Sequence, residues 1–338
     1  MEAKKSFNSI DLFKLLMAVA VVAIHTNPIV AWTNPAAIKI VVIIEEWAVP
    51  FFFTASGFFL FYNMEKPYKE NTRRIDNYLR KIIKLYCVWT LISLPLTIYG
   101  YVISGNAIVS CIFSYIKYFL FVGKLYNSYH LWYLLALIYA LFAIRFLVKR
   151  GLEPVFIFVI ALVIYVASEM MVMLEGNIDS IGGMAGKIVS AYQYIFNNGG
   201  VFTGMIYVCV GMLIAHYGLC MNKWLGACGM IAINIAKLFA GAEMSRMIMP
   251  LEVFVLFASL LTVELPDSRV WNICRKVSTI VYLSHLIFFS IYTIIILGNP
   301  NKLGFDSFLV TIMFSVFNAI LLINIQNNKG FEWIKCIF

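Results

Sequence analysis

Apolar residues in this chain come in unbroken runs of about twenty, separated by short polar or basic clusters. A membrane-spanning helix needs a run of about that length. Strands of a membrane barrel would instead alternate apolar with polar positions. The pattern therefore predicts an all-α, polytopic membrane protein. Ten spans are placed at residues 10–32, 39–62, 82–104, 130–148, 154–173, 200–217, 222–240, 247–264, 277–297 and 305–325. The segment 107–124 is apolar but carries Lys117 in its middle, which is costly in lipid, and is read as an interfacial or re-entrant helix. Pro50 and the pair Ser56-Gly57 mark a kink and a close helix contact in the second span.

Composition supports this reading. Of 338 residues, 62% are apolar and 13% charged, against roughly 25% charged in a soluble domain. A soluble enzyme, a disordered chain and a disulfide scaffold are all excluded. The net charge of +9 would suggest nucleic acid in a soluble protein. In a membrane protein it sets orientation, because Lys and Arg collect in cytoplasmic loops. With both termini cytoplasmic and 107–124 not crossing, 18 of the 26 Lys and Arg fall inside, Lys4, Lys5, Lys329 and Lys335 among them. No nucleic-acid partner is expected. The seven cysteines form no CxxC pair or Cys/His cluster, so no metal or disulfide framework is expected. The first span lacks a small-residue cleavage site and reads as a retained helix. The chain reads as one membrane-embedded domain, 1–338, with no soluble catalytic domain following.

Few residues in the spans can do chemistry. Lys14 and His25 lie eleven positions apart in the first span, hence on one helix face and about 16 Å apart along the axis. Ionisable groups in spans by default face an interior cavity. Equally, His25 can bond a neighbouring helix while Lys14 snorkels. Glu45 and Glu46 fall near the depth of His25. One of them can orient its imidazole, or both can sit solvated beside Trp47. Seven cations lie between Lys66 and Lys84, Arg73, Arg74, Arg80, Lys81 and Lys84 among them. They serve orientation, or bind phosphate of a lipid head group or a nucleotide-bearing cofactor. His130 opens the fourth span beside Trp132 and Tyr133, residues suited to the interfacial belt. His285 lies in the ninth span near Tyr282, Ser284 and Ser278. Glu169 and Glu252 are further acids in outer halves of spans, and His216 reads as structural.

Four segments in order carry a resemblance: SIDLFKLLMAVAVVAIHT, VPFFFTASGFFLF, HLWYLLALI and KVSTIVYLSHLIF. Together they resemble the acyltransferase-3 family of integral membrane acyltransferases, across most of the chain. The run NNGGVFTGMIYVCVGMLIA is also similar to the membrane half of VanT-type serine racemases; no racemase activity is expected here. The family pattern has arginine where this chain has Lys14, which keeps the charge but loses the planar fork.

The resemblance implies an O-acyltransferase of the cell membrane, in contact with lipid. It would move an acyl group, usually acetyl, from cytoplasmic acyl-CoA to a hydroxyl of a cell-surface glycan or cell-wall precursor. On that reading Arg73, Arg74, Arg80, Lys81, Lys84 and Lys14 attract the donor's phosphates. His25 is the general base, Glu46 its partner, and Tyr282 or His285 supports the oxyanion or the base. The implied co-substrate is acyl-CoA, with no metal. Association with a second copy of the chain is compatible with this class. The alternative is a module that binds or transports a small polar solute such as serine. A bare membrane anchor for a separate catalytic chain is the third reading.

Overall fold

The structure is a computed structural model that describes residues 6–175, 182–197, 200–300, 302–326, 328 and 331. The charges Lys4, Lys5, Lys329 and Lys335, counted above toward one face, lie outside these. Among the described residues every regular element is helical. The elements are α1 (Asn8–Thr26), α2 (Pro35–Glu46), α3 (Ala48–Tyr62), α4 (Arg73–Ser104), α5 (Ile108–Lys117), α6 (Trp132–Lys149), α7 (Pro154–Glu175), α8 (Gly183–Phe196), α9 (Gly200–Tyr217), α10 (Lys223–Phe239), α11 (Ala242–Leu260), α12 (Arg269–Ser290) and α13 (Phe305–Ile325). Seven stretches within the described residues are long and apolar enough to cross a membrane. The chain is a multi-pass membrane protein.

Local chemistry explains where the elements depart from the hydropathy reading. The expected span 39–62 is two helices. Pro50 has no N–H, so the Glu46 carbonyl lacks its usual helical donor, and the chain breaks between Glu46 and Ala48. Upstream, α2 starts early because Asn34 caps it. Its side chain accepts from the backbone N–H groups of Ala36 and Ala37, at 3.0 and 3.2 Å, with Pro35 at the first helical position. The first span ends at Thr26 because Asn27 adopts a left-handed conformation and Pro28 follows.

The basic stretch expected to be loop is helix: α4 begins at Arg73 and runs 32 residues, about 48 Å at 1.5 Å per residue. This exceeds the roughly 30 Å hydrocarbon core, so its charged first turns can stand clear of lipid. Ile75, Leu79, Ile82 and Tyr86 are buried at helical spacing beneath those charges. Segment 107–124 forms the ten-residue α5 and a five-residue π-turn, Tyr118–Val122, shorter than a span requires. Helix α8 falls between the expected spans 154–173 and 200–217.

The core is built on α3 and α9. At their crossing Gly57 faces the Val208 carbonyl and Gly211 faces the Thr54 carbonyl. A Cβ on either glycine would overlap the opposing backbone, which cannot rotate away as a side chain can. Gly57→Ala and Gly211→Ala are each expected to cost about 1–3 kcal/mol by overpacking. Melting measurements should show both below Gly200→Ala, whose added carbon meets only the Trp132 ring at 3.4 Å. Helix α9 also packs on α6 and α7, α4 on α6, and α12 on α1 and α13. A second apolar cluster, Ala18, Val22, Val277, Ile280, Val281 and Ala319, joins the last three.

Candidate active site

The bundle holds a half-open cavity of about 1480 Å³. Helix α4 contributes one face of itself: Arg74, Asn77, Tyr78, Lys81, Ile82 and Leu85 all line the cavity, at the i, i+3, i+4, i+7 spacing of a single helical stripe. Arg73, Arg80 and Lys84 are exposed and absent from the lining. Only Arg74 and Lys81 of the five α4 cations are therefore placed to meet a ligand inside. Arg269, Arg275 and Lys276 of α12 join them. Asp76 instead forms an ion pair with Arg145, which ties α4 to α6.

Lys14 lines the same cavity, its Nζ 4.2 Å from the centre of the Phe59 ring. That contact is a cation–π interaction in a partly desolvated place. Asp11, one turn earlier, lies 3.6 Å from Arg275 and leaves its Oδ1 buried without a partner. At the rim, Asn8 and Ser6 donate to Asp267 Oδ1, each at 2.8 Å. Those two bonds hold the Asp267 carboxyl below the usual carboxylate range. The cavity thus carries six cationic side chains against two carboxylates, a strong bias toward an anionic ligand.

The deep end is aromatic. Phe52, Tyr133 and Tyr282 line it, their ring centres 5.5–6.3 Å apart. Ser56 lies within hydrogen-bond reach of Tyr133, with 2.9 Å between their oxygens. The helix turn sends the two residues of the Ser-Gly pair to different neighbours, Ser56 to the cavity and Gly57 to α9.

His25 does not line this cavity. The continuous hollow expected to join it to Lys14 is interrupted by the Phe52–Tyr282 layer. The two residues share a helix face, but the cavity that Lys14 lines ends on Phe52 of α3 and Tyr282 of α12. Tyr282 connects the sides: it lines the cavity and sits 6.2 Å, ring to ring, from His285. Half-buried His25 lies 5.3 Å from the His285 ring, and His285 lies 4.9 Å from His130. Two segments far apart in sequence meet here through a pair of reciprocal bonds. The Tyr282 hydroxyl donates to the His130 carbonyl at 2.6 Å, and His130 Nε2 lies 3.0 Å from the Leu283 carbonyl. A helix-periodicity reading cannot show that contact. The signal available was a histidine in each of two family-like segments.

Glu46 lies elsewhere. The break after α2 turns its carboxylate to Lys237, at 2.8 Å, and Lys237 also holds Glu252 at 2.9 Å. Trp47 Nε1 donates to the other Glu252 oxygen at 2.8 Å. The expected imidazole–Glu46 pair is replaced by this charge cluster, because a buried ammonium attracts the carboxylate more strongly than a neutral ring does. Glu169 is paired with Arg246 at 2.7 Å. His216 Nδ1 lies 3.1 Å from the Tyr68 hydroxyl, far from the histidine cluster in sequence and partners. Burial pushes that phenol up to about 12.

The fold and site define a multi-pass helical protein with a cationic cavity that ends on aromatic and imidazole groups. Residues 7–324 match the acyltransferase-3 family, described as an acyltransferase domain. The chain belongs to that family. It is also similar to an amino-acid racemase of Enterococcus faecalis, 34% identical over 151 residues, 44% of this chain and 20% of that protein. A serine/alanine racemase of Enterococcus gallinarum is 30% identical over 214 residues, 61% of this chain and 28% of the relative. The chain thus spans less than a third of the length of these curated relatives. No solved structure matches it.

Proposed function

We propose that the protein is a membrane O-acyltransferase that takes an acyl group, acetyl in the simplest case, from acyl-CoA to a hydroxyl of a glycan or cell-wall precursor. The observation that carries this is the layout of the cavity. Its cations stand together at one end, and its aromatic end touches the imidazole cluster through Tyr282. The positive-inside tendency puts the cationic end at the cytoplasm, where acyl-CoA is made. Arg74, Lys81, Arg275 and Lys14 then hold the donor's phosphates. The acyl thioester extends past Ser56 and Tyr133 to the Phe52–Tyr282 layer, whose side chains turn aside so that its carbonyl meets the acceptor beside His25. His25, beyond Tyr282, takes the proton from the acceptor hydroxyl as its oxygen attacks the thioester carbonyl. The carbon–sulfur bond breaks, and CoA leaves as the thiol once it recovers that proton.

Donor binding tests this directly. Arg74→Ala and Lys81→Ala should each weaken labelled acetyl-CoA binding about tenfold, in line with one lost charge-assisted hydrogen bond. The loss should shrink as salt rises. Lys84→Ala, one turn away but off the cavity stripe, should change binding less than about twofold. Equal effects at all three positions would mean a diffuse surface charge, not a donor site.

A second reading has one observation in its favour: the similar proteins carry racemase names for serine, alanine or amino acids. In that reading the module binds or transports a small amino acid, and Lys14 meets its carboxylate. Serine uptake into vesicles, without acetyl-CoA binding, would select it.

A further inference from the structure

The three imidazoles are not equivalent, and their hydrogen bonds set their tautomers. His285 Nδ1 lies 2.7 Å from the Tyr282 carbonyl and 3.2 Å from the Val281 carbonyl. A carbonyl only accepts, so Nδ1 carries the hydrogen and Nε2 presents a lone pair. His130 is the mirror case. Its Nε2 faces the Leu283 carbonyl, so Nε2 carries the hydrogen and Nδ1 presents the lone pair. Both rings are fully enclosed, 0% and 1% exposed. Both lone-pair nitrogens, His285 Nε2 and His130 Nδ1, are buried without a protein partner.

Two unpaired buried acceptors on rings 4.9 Å apart are costly, and the two nearest hydroxyls are already engaged. The Tyr282 hydroxyl is committed to the His130 carbonyl. The Tyr133 hydroxyl is within 2.9 Å of Ser56. No group of three or more His, Cys, Asp or Glu among the described residues is arranged to hold a metal ion. The two nitrogens are not bonded to each other; once either ring turns to bring them together, a single proton is donated by one and accepted by the other, with carbonyls of α12 behind each ring to stabilise the charge. His25, the half-buried imidazole beside them, is the ring placed to deliver it.

We infer that His130 and His285 form a proton-holding pair behind His25, storing the acceptor's proton between attack and departure of the thiolate. This rests on the acyl-transfer reading above. The O–H bond breaks as His25 takes the proton on one nitrogen and passes a proton from its other nitrogen to His285. The alkoxide oxygen bonds to the thioester carbon, and the sulfur leaves with the carbon–sulfur electron pair. The stored proton then returns through the same rings to sulfur, which gives ester and free thiol with no net change in the protein. His130 and His285 are positioning and relay groups; His25 alone meets substrate.

The test uses glutamine variants of the full chain in bilayers, together with nitrogen NMR on wild-type protein carrying labelled histidine. Glutamine keeps an N–H for the same carbonyls and lacks the basic lone pair. His130→Gln and His285→Gln should each lower kcat about 100-fold while acetyl-CoA binding stays unchanged. The dependence of rate on deuterium fraction should be curved in wild type and linear in both variants. In the spectra, the His130 and His285 signals should move together as one proton is taken up. Wild-type kcat with a curved dependence in both variants would overturn the relay. So would two imidazoles that titrate independently, a result readable even if a variant does not fold. Absence of any transfer by wild-type protein would overturn the acyl-transfer reading instead, and the spectra would still decide whether the rings share a proton.

Discussion

His25→Ala is expected to reduce acyl transfer by three orders of magnitude or more while the protein still inserts and still binds donor. A positioned general base contributes about 10²–10⁴ in rate. His25 is the ring of the cluster that is only half-buried, hence the one an acceptor hydroxyl can approach. Its loss also cuts the route to His285. Donor affinity should hold within about twofold, because the cationic lining lies on the other side of the Phe52–Tyr282 layer. Parallel measurements of turnover and of labelled acetyl-CoA binding check this. A fall in binding equal to the fall in rate would mean that His25 shapes the donor site, and the division of the site into two halves would be wrong.

The second large effect is on stability. Lys237→Met should lower the melting temperature sharply, equivalent to about 3–5 kcal/mol for breaking a buried ion pair. Lys237 is 2% exposed and Glu252 0%. Removing the ammonium leaves the Glu252 carboxylate enclosed with only the Trp47 N–H for a partner. Adding Glu252→Gln to Lys237→Met should restore much of the loss, since an amide needs no counter-charge. Thermal unfolding of the three proteins in the same detergent is the measurement. A single variant as stable as wild type would show that the cluster does not clamp α2, α10 and α11 together.

These two predictions rest on features of unequal legibility in the sequence. Seven of the ten expected spans were readable among the described residues, because twenty apolar residues have few other uses, and the family-like segments named His25, Tyr282 and His285. A kink at Pro50 was readable too, since a missing N–H is a local fact, but not that it would divide the span into two helices. The reach of α4 back to Arg73 was hidden by its charge. Ile75, Leu79 and Ile82 hold the helix pattern beneath a surface that hydropathy averages away. Which α4 cations face inward was implicit in their spacing, but the α12 cations that complete the ring come from a helix 190 residues later. Tertiary contacts account for the rest. Nothing local tells Glu46 that Lys237 waits on another helix. Nothing local sets an aromatic layer between Lys14 and His25, or brings His130 against His285.

The central claim is that one end of the cavity receives an acyl-CoA and the other passes its acyl group to a hydroxyl. Purified protein in bilayers, given acetyl-CoA labelled in the acetyl group and a glycan acceptor, should form labelled ester and release one CoA thiol per acetyl transferred. Donor that is neither bound nor cleaved, with acceptor and intact protein both present, would contradict it.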